Sequence, residues 1–292
     1  MTGGHAMFRP PAERDSVLIR VADGCPHNSC AFCAMYRGVR YRVHDRDTIH
    51  SRIEQAAARN PDARRIFLTD GDVLALPARL LATILATARA AFPRLSRVNC
   101  YASGRALAGK SDSELASLRR DGLRTLYLGL ESGCEEVLRR MGKGGALSET
   151  IAGGVRAANA GLSVSAMVLI GIGGQELSGS HSCRTAEALN AMQPDMLSCL
   201  RLVPIQGTVL ADSIAAGRFV QLTEEQSVRE LRDILSGLDL ARTVFRADHS
   251  SNILPLAGRL PRDKARLLAE LDELLECGVP DAGSPGPMPT LL

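Results

Sequence analysis

Three cysteines crowd into nine residues, in the run Gly24-Cys25-Pro-His-Asn-Ser-Cys30-Ala-Phe32-Cys33. Thiolates hold iron–sulfur clusters, and three of them leave one iron of a cubane without a protein ligand. An open coordination position is what a catalytic centre requires. The competing use is a structural zinc site, which takes four ligands from two spaced pairs. His27 is the available fourth donor in the loop, but the paired spacing is missing. Cys100, Cys134, Cys183, Cys199 and Cys277 show no C-x2-C pairing, so they read as free cysteines and give no support to a second cluster. Eight cysteines in 292 residues make a thin disulfide framework, which favours metal or catalytic use in a reducing compartment.

A second pattern points elsewhere. Gly104-Arg-Ala-Leu-Ala-Gly109-Lys110-Ser111 satisfies G-x4-G-K-[ST], the phosphate-binding loop of nucleotide hydrolases. A phosphate cradle turns backbone N–H groups inward over an anion, whereas Arg-Ala-Leu-Ala favours helix or ordinary turn. The acidic strand end, Asp70, also precedes the motif instead of following it. Lys110 therefore reads as a surface lysine in a loop, with a nucleotide hydrolase as the alternative function.

Both patterns sit on a regular scaffold. Six short apolar runs, Ser16–Ala22, Arg65–Thr69, Arg97–Ser103, Arg124–Leu130, Ser163–Ile170 and Met196–Val203, have the composition of strands buried on both faces. Between them lie the amphipathic stretches Asp47–Arg59, Pro77–Ala91, Asp112–Asp121, Cys134–Met141, Ser148–Ala160 and His181–Met192. Ser148 reads as an N-cap, and Gly122 and Gly161 as helix stops. Alternating strands and helices demand right-handed parallel crossovers, hence an α/β sheet, open or barrelled. In a parallel barrel the chemistry sits just after the C-terminal ends of the strands, and the cysteine run does follow the first strand.

Beyond Val203 the pattern turns helical, over Thr208–Gly217, Thr223–Leu240 and Pro261–Cys277, with no strong strand between. The organisation expected is an arm over residues 1–15, a core over 16–205 and a helical extension over 206–292. The Pro/Gly/Ser-rich end, GVPDAGSPGPMPTLL, reads as disordered or loosely packed.

Composition excludes several partners. Aromatics make up 3% with no Trp, which argues against a base-stacking platform and so against nucleic acid. The net charge of +3 is too small to imply a polyanion. No apolar run approaches the roughly 20 residues of a membrane span, and the N-terminus lacks a signal-peptide core. The expectation is a cytoplasmic protein.

The cysteine run resembles the radical S-adenosylmethionine (SAM) superfamily signature C-x3-C-x-aromatic-C, with Phe32 at the aromatic position and one extra residue between Cys25 and Cys30. Further motifs follow the strands in order. Thr69-Asp70-Gly71-Asp72 stands where the superfamily carries a Gly-Gly-Glu-like motif for the methionine amino group, and Asp72 takes the acidic position. Ser103 and Arg105 stand where polar and Arg residues approach SAM. Gly129-Leu-Glu131-Ser132-Gly133, with Val137-Leu138 and Met141-Gly-Lys143 behind it, is similar to the elongator, methylthiotransferase and oxygen-independent coproporphyrinogen oxidase group, in which the Glu contacts SAM. Ile170 and Gly171 open the loop where backbone meets adenine.

The resemblance implies a partial (β/α)6 TIM-like barrel carrying a [4Fe-4S] cluster on Cys25, Cys30 and Cys33, with SAM as second cofactor. It implies a flavodoxin- or ferredoxin-like electron donor, a 5′-deoxyadenosyl radical and a small-molecule substrate. His181, expected to begin a helix at the barrel mouth, and Arg201, Arg246 and His249 are the candidate substrate contacts. Glu131, beside an apolar strand, needs a cationic or hydrogen-bonding partner if ionised.

Overall fold

The computed structural model describes residues 6–287; the first five residues of the N-terminal arm and the last five of the tail lie outside the described residues. Eight strands form one mostly parallel sheet with helices between them. In chain order the elements are β1 (Val17–Arg20), β2 (Ala22–Asp23), β3 (Arg42–Val43), α1 (Arg46–Arg59), β4 (Arg65–Thr69), α2 (Ala78–Ala91), β5 (Arg97–Ala102), α3 (Gly104–Ala108), α4 (Asp112–Arg120) and β6 (Leu123–Glu131). There follow α5 (Glu135–Arg140), α6 (Leu147–Asn159), β7 (Ser163–Ile170), α7 (Gly174–Met192), β8 (Met196–Arg201), α8 (Val209–Ala215), α9 (Glu224–Gly237), β9 (Val244–Ala247), β10 (Leu256–Arg259) and α10 (Lys264–Cys277). The sheet order is β1-β4-β5-β6-β7-β8-β9-β10.

The chain divides into two compact units. The first holds the segment up to Asn28, Met35–Gly129 and Ala152–Val164. In it β1, β4, β5 and β6 pair in parallel, while the short β2 and β3 pair antiparallel and clasp the two ends of the cysteine loop. β4 buries four of its five residues, as a strand covered on both faces must. α2 buries Leu81, Ile84, Leu85 and Ala88, the one-sided spacing of a helix lying on a sheet. α4 starts on a capping box between Ser111 and Glu114.

The second unit holds Ser29–Ala34, Leu130–Ile151 and the chain from Ser165 on. β7, β8 and β9 pair in parallel and β10 closes antiparallel on β9. β9 and β10 correct the expectation of a purely helical extension. Each has only four residues, too short for a sequence period, and pairing with β8 rather than intrinsic propensity makes β9 a strand. Its alternation is clear once placed: Phe245 and Ala247 are buried and Arg246 faces out.

Three further expectations are corrected. α7 starts at Gly174, seven residues before His181, because tertiary packing overrides the weak helix preference of Ser178, Gly179 and Ser180. α6 starts at Leu147, so Ser148 lies inside its first turn and does not cap it. The tail is ordered as far as described: Ser284 O accepts the Glu224 amide at 2.8 Å, and the Asp281 amide donates to the Glu224 carboxylate at 3.2 Å.

Candidate functional site

In the first unit, the turn after β4 presses on the first cysteine. A Cβ at Gly71 would collide with the Cys25 backbone and side chain and with Gly24 O, so only glycine fits. Asp70 holds a left-handed φ of 78°, is fully buried, and is paired with Arg20 Nε at 3.1 Å. That role separates it from Asp72, whose carboxylate accepts the Ser103 amide at 3.3 Å and the Ser103 hydroxyl. Ser103 Oγ also caps α3 by accepting the Ala106 amide at 3.1 Å. The ends of β4 and β5 are thereby tied together, and Arg105, one turn along, is exposed.

Tyr41 is a neighbour with no signal in the sequence. The β2–β3 pairing returns the chain so that a Cβ on Gly24 would meet the Tyr41 backbone at 3.4 Å. Burial, with Asp72 and Cys25 nearby, raises the Tyr41 phenol above its ordinary range. Knowing that residues 24–41 close as a loop would have found it.

The phosphate-loop reading fails on geometry. Gly104–Ala108 is the helix α3, whose Ala106 and Leu107 amides are taken by Ser103 Oγ and O as an N-cap rather than turned over an anion. Lys110 is buried, not a surface residue, and burial lowers its ammonium pKa while Glu114, Asp72 and Cys100 oppose the shift.

In the second unit, the Cys30–Cys33 segment is a tight turn in which the Cys33 amide donates to Cys30 O at 3.2 Å. It is clamped on two sides. The Ala31 amide donates to Met141 O at 2.8 Å, and Ala31 O accepts the Leu210 amide at 3.0 Å. Ala31 and Phe32 pack with Cys134, Val137, Met141 and Ile172. Beside them opens a cavity of about 270 Å³ lined by Val137, Met141, Ile172, Gly174, Arg218 and Phe219 among others.

Glu131 ends β6 with a left-handed φ of 61°, and Lys143 Nζ donates to its Oε1 at 2.8 Å. Both side chains are largely buried, which supplies the cationic partner that the sequence required. The Met141-Gly142-Lys143 segment thus holds the cysteine turn through one carbonyl and Glu131 through one ammonium. Ser132 and Gly133 are pinned on α7. Ser132 Oγ lies 2.8 Å from His181 Nδ1, the Gly133 amide donates to Thr185 Oγ1 at 2.8 Å, and a Cβ on Gly133 would strike Arg184 O. After β7, Ile170 is buried and its carbonyl accepts the Leu202 amide at 2.8 Å, while the Gly171 amide donates to Glu230.

The four candidate substrate contacts do not behave alike. His181 lies within α7 with no exposed surface, so it is not at a helix start and faces no opening. Arg201 ends β8 and donates from Nε to Ser251 O and from its terminal nitrogens to Pro285 and Pro287 carbonyls. Arg246 is exposed and paired with Asp248 at 3.2 Å. His249 Nδ1 is 2.9 Å from Ser251 Oγ, and burial lowers its pKa. Asn252, which the sequence did not single out, accepts the Arg201 amide and donates to Cys199 O, both at 2.8 Å.

Cys25, Cys30 and Cys33 are all unbridged and half-buried. Three thiols in one loop suit an iron–sulfur cluster by donor chemistry. Among the described residues no three His, Cys, Asp or Glu stand together as a preformed ligand set. None of the described helices is long and apolar enough to cross a membrane.

The radical SAM superfamily model matches residues 19–178. No curated protein matches. Among solved structures, methylornithine synthase is similar at 15% identity and TM-score 0.53, over 89% of this chain and 82% of that one. Coproporphyrinogen III oxidase from Escherichia coli is similar at 17% identity and TM-score 0.56, over 76% of this chain and 50% of that one. The archaeal Methanocaldococcus infernus Elp3 is similar at 16% identity and TM-score 0.52, over 91% of this chain and 64% of that one. The chain thus spans about half to four fifths of these proteins, and at such identities they establish the fold alone. With the family model covering more than half of its length, the chain belongs to the radical SAM superfamily of enzymes, which use a [4Fe-4S] cluster and SAM.

Proposed function

We propose that this enzyme cleaves SAM reductively and abstracts hydrogen from a small-molecule substrate, with Cys25, Cys30 and Cys33 as the three cluster ligands. The observation that carries the reading is the double hold of Met141-Gly142-Lys143 in the second unit, on Ala31 by backbone and on Glu131 by charge. It couples the cysteine turn to the acidic turn after β6 within one rigid set of contacts. When bound, the cluster and SAM supply a 5′-deoxyadenosyl radical for hydrogen abstraction.

The chain's own residues then divide the work. Asp72, oriented by Ser103, presents a carboxylate to the SAM ammonium, and Arg105 approaches SAM from the same turn as Ser103. Glu131, paired with Lys143 Nζ, accepts hydrogen bonds from the ribose or the amino group. Phe32, Ile170 and Gly171 border the adenine, and the apolar cluster of Val137, Met141 and Ile172 against Phe32 gives that ring an apolar surface. The electron donor is a flavodoxin- or ferredoxin-like protein. Arg201 on β8, Arg246 on β9 and His249 in the loop after β9 are the proposed substrate side.

Anaerobic reconstitution tests this. The protein should turn brown, hold about four irons and release 5′-deoxyadenosine from SAM with dithionite. Cys30→Ala should lose both; SAM cleavage surviving in that variant would overturn the assignment. A colourless protein binding one zinc would do the same.

A further inference from the structure

The second unit contains a chain of polar side chains buried where apolar packing would be simpler. Ser132, His181 and Thr185 have no exposed surface and Glu230 is 2% exposed. Ser132 belongs to the turn after β6, His181 and Thr185 to α7, and Glu230 to α9. Glu230 Oε1 accepts the Gly171 amide at 2.5 Å and stands 3.6 Å from His181 Nε2, which has no hydrogen bond. Glu230 Oε2 accepts the Ser178 hydroxyl. A line of buried polar groups thus runs from the turn carrying Glu131 to the turn carrying Gly171, with one 3.6 Å step between His181 and Glu230.

The two ring nitrogens of His181 face different partners. Ser132 Oγ already accepts the Cys134 amide at 3.0 Å, and Thr185 Oγ1 already accepts the Gly133 amide. Each hydroxyl has one proton to give, and His181 Nδ1 lies 2.8 Å from the first and 3.3 Å from the second. A lone pair on Nε2 would face the lone pairs of Glu230 Oε1 3.6 Å away, so Nδ1 is the acceptor and the ring proton resides on Nε2, facing Glu230 Oε1. That oxygen takes the Gly171 N–H, so a proton on Glu230 belongs on Oε2, and Oε1 remains an acceptor in either charge state. Burial pushes His181 down to about 4 and Glu230 up to about 7, and Asp233 on α9 adds to the second shift.

We propose that His181, as the neutral Nε2–H tautomer, and Glu230 are a positioning pair that sets the spacing of the Glu131–Gly133 and Ile170–Gly171 turns for SAM. The pair touches no cofactor itself; it acts through Ser132 and Gly171. The role rests on the reading that these two turns hold SAM.

Two measurements on the full chain test it. In the cluster-free protein, long-range ¹H–¹⁵N spectra of labelled histidines should show His181 protonated at Nε2 and unchanged between pH 5 and pH 8; an Nδ1–H pattern would overturn the proposal. In the reconstituted protein, Glu230→Leu should weaken SAM binding on the order of tenfold, a difference of about 1.4 kcal/mol. Glu230→Gln keeps the acceptor oxygen and should restore binding to within about twofold. Glu230→Leu binding as the parent does, or Glu230→Gln failing as badly as Leu, would sink the pair while a weakened Glu131→Gln keeps the cofactor reading. Glu131→Gln with parental affinity would instead overturn the cofactor reading and the positioning role with it, whatever the tautomer.

Discussion

Two buried carboxylates, one in each unit, meet opposite fates. Glu13 closes a 3-10 turn in the first unit and is 1% exposed. It accepts hydrogen bonds from Ser16 Oγ, Asn99 Nδ2 at 2.7 Å and Tyr127 OH at 2.6 Å. Asn99 passes the network on by accepting the Thr125 amide at 2.9 Å. Burial and the adjacent carboxylate raise the Tyr127 phenol far above its ordinary range. Ser16 precedes β1, and Asn99 and Thr125 lie early in β5 and β6, so Glu13 serves the N-terminal ends of parallel strands. Glu230 in the second unit serves their C-terminal ends. Parallel α/β folds place stability at the first face and chemistry at the second. Glu13 has a full set of donors; Glu230 has two and faces a histidine just beyond bonding distance. A carboxylate with three donors fixes a scaffold, whereas Glu230 joins two turns of the proposed site.

The comparison can be broken at four points. Glu13→Leu should cause the largest effect, because it strands three buried donors; a loss of about 3–5 kcal/mol in urea unfolding is expected. The SAM affinity of the folded fraction should stay parental, and a large affinity change would erase the distinction. Lys143→Met should act the other way round. SAM binding falls about tenfold as Glu131 loses its partner, while unfolding changes by about 1–2 kcal/mol.

The third point is pH. Glu230 has a folded pKa near 7, above that of an unfolded carboxyl, so the folded state keeps its proton longer. The stability it contributes is complete below the unfolded value and is lost as pH rises to about 7. The parent's Tm should therefore fall relative to that of Glu230→Gln as pH climbs from about 4.5 to about 7. His181, depressed to about 4, works against this: its contribution is present above about 6.5 and lost on acidification. A Tm difference flat across that window would show that Glu230 is ionised throughout. The smallest effect belongs to Lys110→Gln, which should leave the protein without measurable ATP or GTP hydrolysis, as the parent is; parental hydrolysis abolished by the variant would revive the phosphate-loop reading.

Much of the scaffold was legible because it is written in short-range pattern. β4 and β7 begin and end where their apolar runs do, and Gly122 and Gly161 stop helices with φ of 110° and 82°. The carboxylate of Glu131 announced a partner, since an ionised group beside a strand needs one. What was not legible depends on contacts distant in sequence. Four-residue strands such as β9 exist only because β8 offers an edge. Lys110 is buried in a turn whose carbonyl is held by Arg156 of α6, 46 residues on. His181 read as a helix start because Gly173, Gly174 and Gly179 look like loop.

By itself the sequence determined the family, the alternation of strands and helices, and the order in which acidic and glycine turns follow strand ends. Those are properties of residue type at fixed spacing, and one chain carries them without reference to its fold. Only the tertiary structure decided which partner each polar group meets. It gave Glu131 to Lys143, Asp72 to Ser103, and the cysteine turn to the Met141 carbonyl. It also buried His181 between Ser132 and Glu230, 49 residues away in either direction. A hydrogen bond depends on ångström distances that no spacing rule along the chain encodes.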